Sequence, residues 1–265
     1  MRIGLLSDVH GNRHALEAVL LDAAAHEIDA WWVLGDLAAV GPDPVGAVEI
    51  LANLPRAELI RGNTDRYVLT DDRPPPHAEE VAENADLLPL FALIQRSFAW
   101  TAGALASHGW MDWLDELPNE VRTTLSDRTA VLGVHASPGC DDDEGITPHR
   151  PTAELRASLA GADAQVVFAG HTHRPTDRVV GEVRAVNLGS VSNPVTDDLR
   201  ASYVVVHADR HGHTIEHRRV DYDRDAFLSA VAASGHPASE YIASFQLGQQ
   251  LHRPARRHGG PEPAT

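Results

Sequence analysis

Side chains that can bind metal ions follow five short apolar runs of this sequence. They are Asp8 and His10, Asp36, Asn63, His135, and His171 and His173. This set of two carboxylates, one amide and four imidazoles suits borderline divalent metals such as manganese, iron or zinc. It holds too much nitrogen for calcium and lacks the thiolates of structural zinc sites. The residue types therefore predict a metal site, provided that a fold brings them together.

Each of these residues also has an ordinary structural explanation. A Gly-Asp or Gly-Asn pair after a strand is typical of a turn, and a single histidine such as His135 is commonly a hydrogen-bonded core residue. The pair Asp8 and His10 could belong to the cap of the following helix. Because the pattern recurs after five separate runs, we favour a metal site over independent coincidences.

The runs themselves alternate with helical patterns in the first third of the chain. Residues 3–7, 30–35 and 57–62 are strand-like, and residues 12–26 and 43–54 between them have helical periodicity. This order predicts an α/β domain in which the strands end at one edge of a sheet. Ligand sites of such sheets lie at the carboxyl ends of their strands.

The helical pattern dominates residues 66–128, which we predict to form a helical cap insertion. A proline-rich loop at 70–77 precedes a helical stretch at 78–117. That stretch either covers the site and sets substrate size or packs as a helical hairpin without touching substrate. Its tryptophans are expected in the core.

Strand-like patterns return in the second half of the chain. They cover residues 129–134, 164–170, 182–189, 201–208 and 212–222, and the last two are expected to pair. Residues 223–247 have a helical pattern. We predict one domain over residues 1–248 and a disordered tail over residues 249–265.

Composition narrows the classes of protein. The 265 residues carry a formal net charge of −16, so nucleic acid is not an expected partner. The single cysteine, Cys140, excludes an internal disulfide framework. No run has the pattern of a signal peptide or reaches the length of a membrane span, so we expect a cytoplasmic protein without membrane contact. A homo-oligomer is compatible with the sequence.

Five motifs carry a resemblance to a known family. The segments "SDVHGN", "LGDL", "RGNTD", "GVHASP" and "GHTHRP" resemble, in this order, the motifs of the calcineurin-like metallophosphoesterase superfamily. The segments "HGNRHALEAVL" and "NLGSVSNPVTDDLRASYVVV" resemble its bacterial YfcE-type branch. The resemblance spans residues 1–222 and implies a four-layer α-β-β-α sandwich, in which helices flank two mixed sheets.

The resemblance also implies a centre of two divalent metal ions, with manganese favoured and iron, zinc or nickel as alternatives. The first ion would be held by Asp8, His10, Asp36 and His173. The second would be held by Asn63, His135 and His171, with Asp36 as the bridge. A hydroxide between the ions would attack phosphorus in line, and Asp36, Asn63 and His135 are the expected catalytic residues.

Substrate contacts are less defined by the motifs. Asn63 and Asn12 are predicted to bind a small phosphomonoester or phosphodiester, which could be a nucleotide, although Asn12 could instead be only a helix cap. The segment "NLGSVSNP" at 187–194 either lines the site or forms a turn. Many family members have histidine where this chain has Thr64, and that histidine is implicated as the acid for the leaving group. The acid is therefore unassigned here.

Two other functions remain open. A protein serine/threonine phosphatase shares the metal chemistry and would need an open groove, which a helical cap would obstruct. A non-catalytic scaffold, the role of this fold in the retromer complex, would be expected to lack ligand histidines, whereas all seven ligand positions are filled here. A nuclease is disfavoured by the net charge.

Overall fold

The structure, a computed structural model, describes residues 1–252 of the chain. The strands are β1 Arg2–Leu6, β2 Ala30–Leu34, β3 Ala57–Ile60, β4 Glu120–Thr124, β5 Ala130–Val134, β6 Val166–Ala169, β7 Thr176–Val180, β8 Val183–Asn187, β9 Ala201–Asp209 and β10 Gly212–Val220. The α-helices are α1 Arg13–Ala23, α2 Pro44–Ala52, α3 Asn63–Leu69, α4 Ala78–Glu83, α5 Leu88–Ser107, α6 Met111–Asp115, α7 Thr152–Ser158, α8 Arg224–Ala233 and α9 Ser239–Gln246.

The strands form two mixed sheets of five strands each. The order in the first sheet is β10-β9-β1-β2-β3, with β1, β2 and β3 parallel. The order in the second is β4-β5-β6-β8-β7, with β5, β6 and β8 parallel. The predicted hairpin is confirmed, because β9 and β10 pair antiparallel with Glu216 opposite Val205.

The side chains of each strand alternate between two cores. Trp31 belongs to the core between the first sheet and its helices, whereas the next residue, Trp32, belongs to the core between the two sheets. In the second sheet Val131 faces the inter-sheet core and Leu132 faces the helix α7 side. Because strand side chains have a period of two, each sheet buries both faces, and the predicted four-layer α-β-β-α sandwich is confirmed.

The segment 66–128 contains α4, α5 and α6 and ends in strand β4. The buried face of α5, which includes Phe98 and Leu105, joins the core between the first sheet and its helices. Trp110 and Trp113 are partly buried and pack against the same core, as predicted, whereas Trp100 packs against His236 instead. The helix α5 contacts α2 and α3 and so extends the outer helical layer, and whether the segment also covers substrate stays a prediction.

The C-terminal helical stretch is broken into α8 and α9 at residues 234–238. The two helices pack on each other through Phe227, Val231 and Ile242. We predicted disorder from residue 249 onward, but Gln249–His252 form a short 3-10 helix. The rest of that prediction, residues 253–265, lies outside the described residues.

Across residues 1–252, no helix has both the length and the hydrophobicity needed to cross a membrane.

Candidate metal centre

The predicted ligand residues lie where five strands end, at β1, β2, β3, β5 and β6. Several of them have a left-handed backbone, which aspartate and histidine adopt more readily than most residues. They are Asp8 (φ 56°), His10 (φ 48°), Asp36 (φ 57°), His171 (φ 66°) and His173 (φ 56°). Such a backbone costs about 1–3 kcal/mol per residue, and its concentration here marks the edge as a functional site.

The strand ends approach one another closely. Gly35 precedes Asp36 and has a positive φ of 84°. A Cβ atom on Gly35 would lie 2.6 Å from the backbone nitrogen of Gly62 and 2.6 Å from His135 Nδ1. Glycine is therefore required here, because any side chain would separate the ends of β2, β3 and β5.

One group of candidate ligands is formed by Asp8, His10, Asp36 and His173. One ligand atom from each of these four buried residues lies within 4.8 Å of the others. His173 Nε2 is 3.1 Å from Asp8 Oδ1 and 3.3 Å from His10 Nε2. His10 Nε2 lies 3.6 Å from Asp36 Oδ2. The spacing matches a coordination sphere in which each ligand atom sits about 2 Å from a cation.

The second group is formed by Asn63, His135 and His171, again with Asp36. His135 Nε2 lies 3.3 Å from Asp36 Oδ1 and 3.0 Å from Asn63 Oδ1. His171 Nδ1 is 3.2 Å from the same Asn63 oxygen. The two carboxylate oxygens of Asp36 thus face the two groups, one each. The structure brings all seven predicted ligand residues to this one edge.

The outer nitrogens of three histidines are fixed by the main chain. His10 Nδ1 lies 2.9 Å from the carbonyl oxygen of Ala39, His135 Nδ1 lies 2.7 Å from that of Leu34, and His173 Nδ1 lies 2.6 Å from that of Asn193. A carbonyl can only accept, so each Nδ1 must carry its proton. Each Nε2 is then the atom that points into the site, as in histidine sites that bind metal.

The charges within the site support this assignment. Burial disfavours ionisation of the carboxyls, but His173 lowers the pKa of Asp8 and His135 lowers that of Asp36. Against the opposite effect of burial, Asp36 raises the pKa of His135 to about 10, and Asp8 raises that of His173. Imidazole protons therefore supply the positive charge that the buried carboxylates need in the metal-free chain. Divalent cations would replace these protons.

Asp65 organises the turn between the two groups of ligands. Its carboxylate accepts hydrogen bonds from the backbone nitrogens of Asp36 (2.8 Å), Gly62 (2.9 Å) and Leu37 (3.0 Å). Asp65 is fully buried. It thus fixes the backbone on both sides of the Asp36 side chain.

Asn12, predicted either to bind substrate or to cap a helix, is placed as a helix cap, and its contact with substrate stays a prediction. Asn12 is the N-cap of α1, and its Oδ1 accepts from Ala15 N at 3.0 Å. Its Nδ2 donates to Ser192 Oγ at 3.1 Å and to the Tyr222 hydroxyl at 3.3 Å. Both ends of this buried amide are occupied, so the alternative of a helix cap accounts for it.

The segment 187–194 supports the site from behind. The Asn193 carbonyl holds His173, and Ser190 Oγ donates to the backbone oxygen of Asp8 at 3.0 Å. The Asn187 amide donates to Gly170 O, just before His171. The sequence left open whether this segment lines the site or forms a turn, because its contacts join residues far apart in the chain. The density of Asn and Ser in "NLGSVSNP" was the available signal.

Thr64 does not supply the missing acid. Its backbone nitrogen donates to Asp36 Oδ1 at 3.0 Å. Its buried hydroxyl has no hydrogen-bond partner among the described residues. A threonine hydroxyl does not release a proton near neutral pH, so its role here is to pack and to hold Asp36.

Sequence and structure comparisons agree with this geometry. The model of the calcineurin-like phosphoesterase superfamily domain matches residues 1–211. An uncharacterized protein of Methanocaldococcus jannaschii is 25% identical over 237 residues, which are 83% of this chain and 88% of that protein.

Two solved structures share the fold over nearly their whole length. A hypothetical protein from Pyrococcus horikoshii has a TM-score of 0.75 at 22% identity and covers 92% of this chain and 97% of its own. A metallophosphoesterase from Sphaerobacter thermophilus has a TM-score of 0.71 at 26% identity and covers 94% of this chain and 99% of its own.

The family resemblance is thereby confirmed, whereas the assignment to the YfcE-type branch stays a prediction. The family match covers the five strand ends and their ligand residues, and the buried aspartate–histidine cluster supplies the donors that a divalent metal requires. The chain belongs to the calcineurin-like phosphoesterase superfamily and is a metal-dependent hydrolase of phosphate esters.

Proposed function

We propose that this chain hydrolyses small phosphomonoesters or phosphodiesters with two divalent metal ions, manganese being the favoured metal. The position of Asp36 supports this proposal most directly. Its Oδ2 lies 3.6 Å from His10 Nε2 and its Oδ1 lies 3.3 Å from His135 Nε2. One carboxylate between two sets of nitrogen donors is the arrangement that a bridging ligand needs.

The residues have distinct roles in this proposal. When bound, the ions would activate water and neutralise charge on the phosphoryl group. Asp36 and His135 hold the centre from below, since both are almost fully buried. Asn63 offers Oδ1 to the centre and carries the only amide among the ligands, so its Nδ2 is the group that could donate to a phosphate oxygen.

The burial of the ligands supports a small substrate. Asp8, Asp36 and His135 are at most 2% exposed. The side chains of His171 and His173 are 17% and 11% exposed, so the site opens on their side. The low exposure of the ligands favours a small phosphate ester over a folded protein, and the net charge of −16 disfavours nucleic acid.

Metal analysis tests the bridge. Asp36→Asn should lose both ions, because it removes the shared charge, whereas His173→Ala should weaken mainly the first. The measurement is bound manganese per chain by mass spectrometry of purified, Mn²⁺-loaded protein. Asp43→Asn is the matched control, because the Asp43 side chain caps α2 by accepting from Gly46 N and asparagine can do the same. Full occupancy in Asp36→Asn would contradict the assignment.

A panel of substrates separates the activities. The proposal predicts turnover of small mono- or diesters that depends on added Mn²⁺ and disappears with chelator. A protein phosphatase would instead act on phosphopeptides and leave the small esters largely intact. Metal-loaded protein that turns over neither class would exclude both activities.

A further inference from the structure

His171 differs from the other three histidines of the metal centre in the partner of its outer nitrogen. The other three place Nδ1 on main-chain carbonyls and turn Nε2 inward. His171 turns Nδ1 inward, toward Asn63 Oδ1, and its Nε2 lies 4.0 Å from Asp142 Oδ1. The nearest anionic partner of His171 on the outer side is therefore a carboxylate from a separate loop.

The same carboxylate oxygen faces the amide of Asn63. Asn63 Nδ2 donates to Asp142 Oδ1 at 3.5 Å. An amide has one donor end and one acceptor end, so a carboxylate beside Nδ2 favours the rotamer with Oδ1 directed at the centre. The Oδ1 atom of Asp142 thus lies beside both Asn63 and His171, which are 108 residues apart in the sequence.

Asp142 is itself held in place. The Tyr67 hydroxyl donates to its other oxygen, Oδ2. Tyr67 is 3% exposed, and its ring packs edge-on against Phe98 of α5 at 5.4 Å. Arg66 donates to the neighbouring Asp141 at 2.8 and 2.9 Å and so ties the loop to α3. Asp142 is therefore anchored on two sides, although its side chain is 28% exposed.

We propose that Asp142 is a positioning residue that sets the orientation of Asn63 and His171 for the second metal ion. This inference rests on the proposed two-metal function. Asp142 favours the Asn63 rotamer with its oxygen inward, and its negative charge favours the His171 tautomer with the proton on Nε2. That tautomer leaves the Nδ1 lone pair free for a cation.

Substitution of Asp142 should weaken the binding of only one of the two metal ions. Loss of a partner behind the ligands typically costs 10–100-fold in metal affinity. The outer partners of His10 and His173 are main-chain carbonyls, which a change at Asp142 leaves in place. Asp142→Ala should therefore raise one of two dissociation constants for Mn²⁺ by about 10–100-fold and leave the other within about twofold.

The experiment titrates Mn²⁺ into chelator-stripped full-length protein by isothermal titration calorimetry. Asp142→Ala is compared with Asp142→Asn, which keeps an acceptor oxygen and should recover part of the affinity. Asp143→Ala is the matched control. It removes the same charge from the same loop, but Asp143 contacts Gly145 and Arg150 instead of the ligands. Tyr67→Phe, which frees Asp142 on one side, should have a smaller effect than Asp142→Ala.

Thermal unfolding of the metal-free variants separates positioning from folding. Because Asp142 is partly exposed, its variants should unfold within a few degrees of the parent without metal. The inference is overturned if Asp142→Ala binds both ions like Asp143→Ala, or if its metal-free stability falls while both affinities are unchanged. If the parent chain itself binds only one Mn²⁺, the proposed two-metal function fails, and this inference fails with it.

Discussion

Replacement of Asp65 by asparagine tests whether the turn beneath Asp36 depends on a charged acceptor. The Asp65 carboxylate accepts from the backbone nitrogens of Asp36, Gly62 and Leu37. Oδ2 accepts from Asp36 and Gly62, and Leu37 N donates to both oxygens, at 3.0 Å to Oδ1 and at 3.3 Å to Oδ2. An asparagine side chain can place its oxygen at only one of these positions. The other position would hold an NH₂ group that faces a buried N–H.

The expected cost follows from this count of contacts. One charge-assisted hydrogen bond contributes about 1.5–3 kcal/mol, and Leu37 N, which faces an NH₂ group and keeps only its longer contact at 3.3 Å, adds part of a desolvation penalty. With the Asn oxygen at the Oδ2 position, we expect Asp65→Asn to lower the free energy of unfolding of the Mn²⁺-loaded protein by about 2–4 kcal/mol. For a chain of this size that is a fall in Tm of roughly 5–15 °C.

The metal-free chain should respond less. In the metal-free chain, burial and then the Asp36 carboxylate raise the pKa of Asp65 from 3.8 to about 7. Hydrogen bonds from Gly62 and Leu37 oppose this shift. A carboxyl whose pKa rises on folding loses its contribution to stability as the pH rises from 3.8 toward 7. Asparagine avoids that loss. Bound cations offset the charge of Asp36, so the loaded protein should retain the full cost of the substitution.

The assay is urea unfolding at about pH 8, at fixed free Mn²⁺ and again with chelator. Asp43→Asn is the matched control. Asp43 accepts a single hydrogen bond, from Gly46 N at 2.8 Å, as the N-cap of α2, and asparagine caps helices equally well. Loaded Asp65→Asn that unfolds within about 0.5 kcal/mol of the control would refute the reasoning, since the estimated cost is several times larger.

Two further predictions concern pH and the leaving group. The pKa of His135 rises on folding from 6.5 to about 10, against burial and because of Asp36, so its contribution to metal-free stability is present below 6.5 and lost as the pH rises toward 10. The stability gained from Mn²⁺ should therefore grow between pH 6.5 and about 9, and urea unfolding with parallel loaded and metal-free curves would contradict this. Because Thr64 is no acid, aryl phosphates should be hydrolysed much faster than alkyl phosphates, and Thr64→His should help alkyl esters more, by up to about 10²–10⁴-fold. The check is kcat/KM for both ester series, and equal rates in the parent with chemistry rate-limiting would show that another acid operates.

The ligand residues could be predicted because their signal is local. The ligand residues follow five strands of four or five residues, of which all except β3 are almost entirely buried, and parallel strands place their carboxyl ends at one edge. The division into two groups around Asp36 was implied only by the family resemblance. Only the structure shows that the two oxygens of Asp36 face different histidines, His10 after β1 and His135 after β5.

The strands that sequence reasoning missed lie at sheet edges. Strand β4 has one buried residue, Val121, and four exposed ones. In β7 only the two end residues, Thr176 and Val180, are buried. Such strands carry no continuous apolar run, because only part of one face packs. The helix α7 was missed for a related reason, since Leu155 is its only buried residue.

The partners of the supporting side chains could not be predicted, because these contacts join distant parts of the chain. Asp65 reaches Asp36 across 29 residues, and Asp142 reaches Asn63 across 79. No periodicity in a single sequence marks such pairs. The run "CDDDEG" at 140–145 would ordinarily be interpreted as a solvated acidic loop, and only its approach to His171 gives Asp142 a place beside the site.

The edge of the site beside His173 depends on a segment beyond the matched family region. The match ends at residue 211, yet Gln246 Nε2 of α9 donates to Ser192 O at 2.6 Å, next to the loop that holds His173. The Phe245 ring lies 6.1 Å from the His173 ring. The strand ends carry the ligand residues, and α9 reaches His173 through the loop at 192–193. Changes in α9 should therefore alter the wall beside His173 while the strand ends that carry the metal donors stay in place.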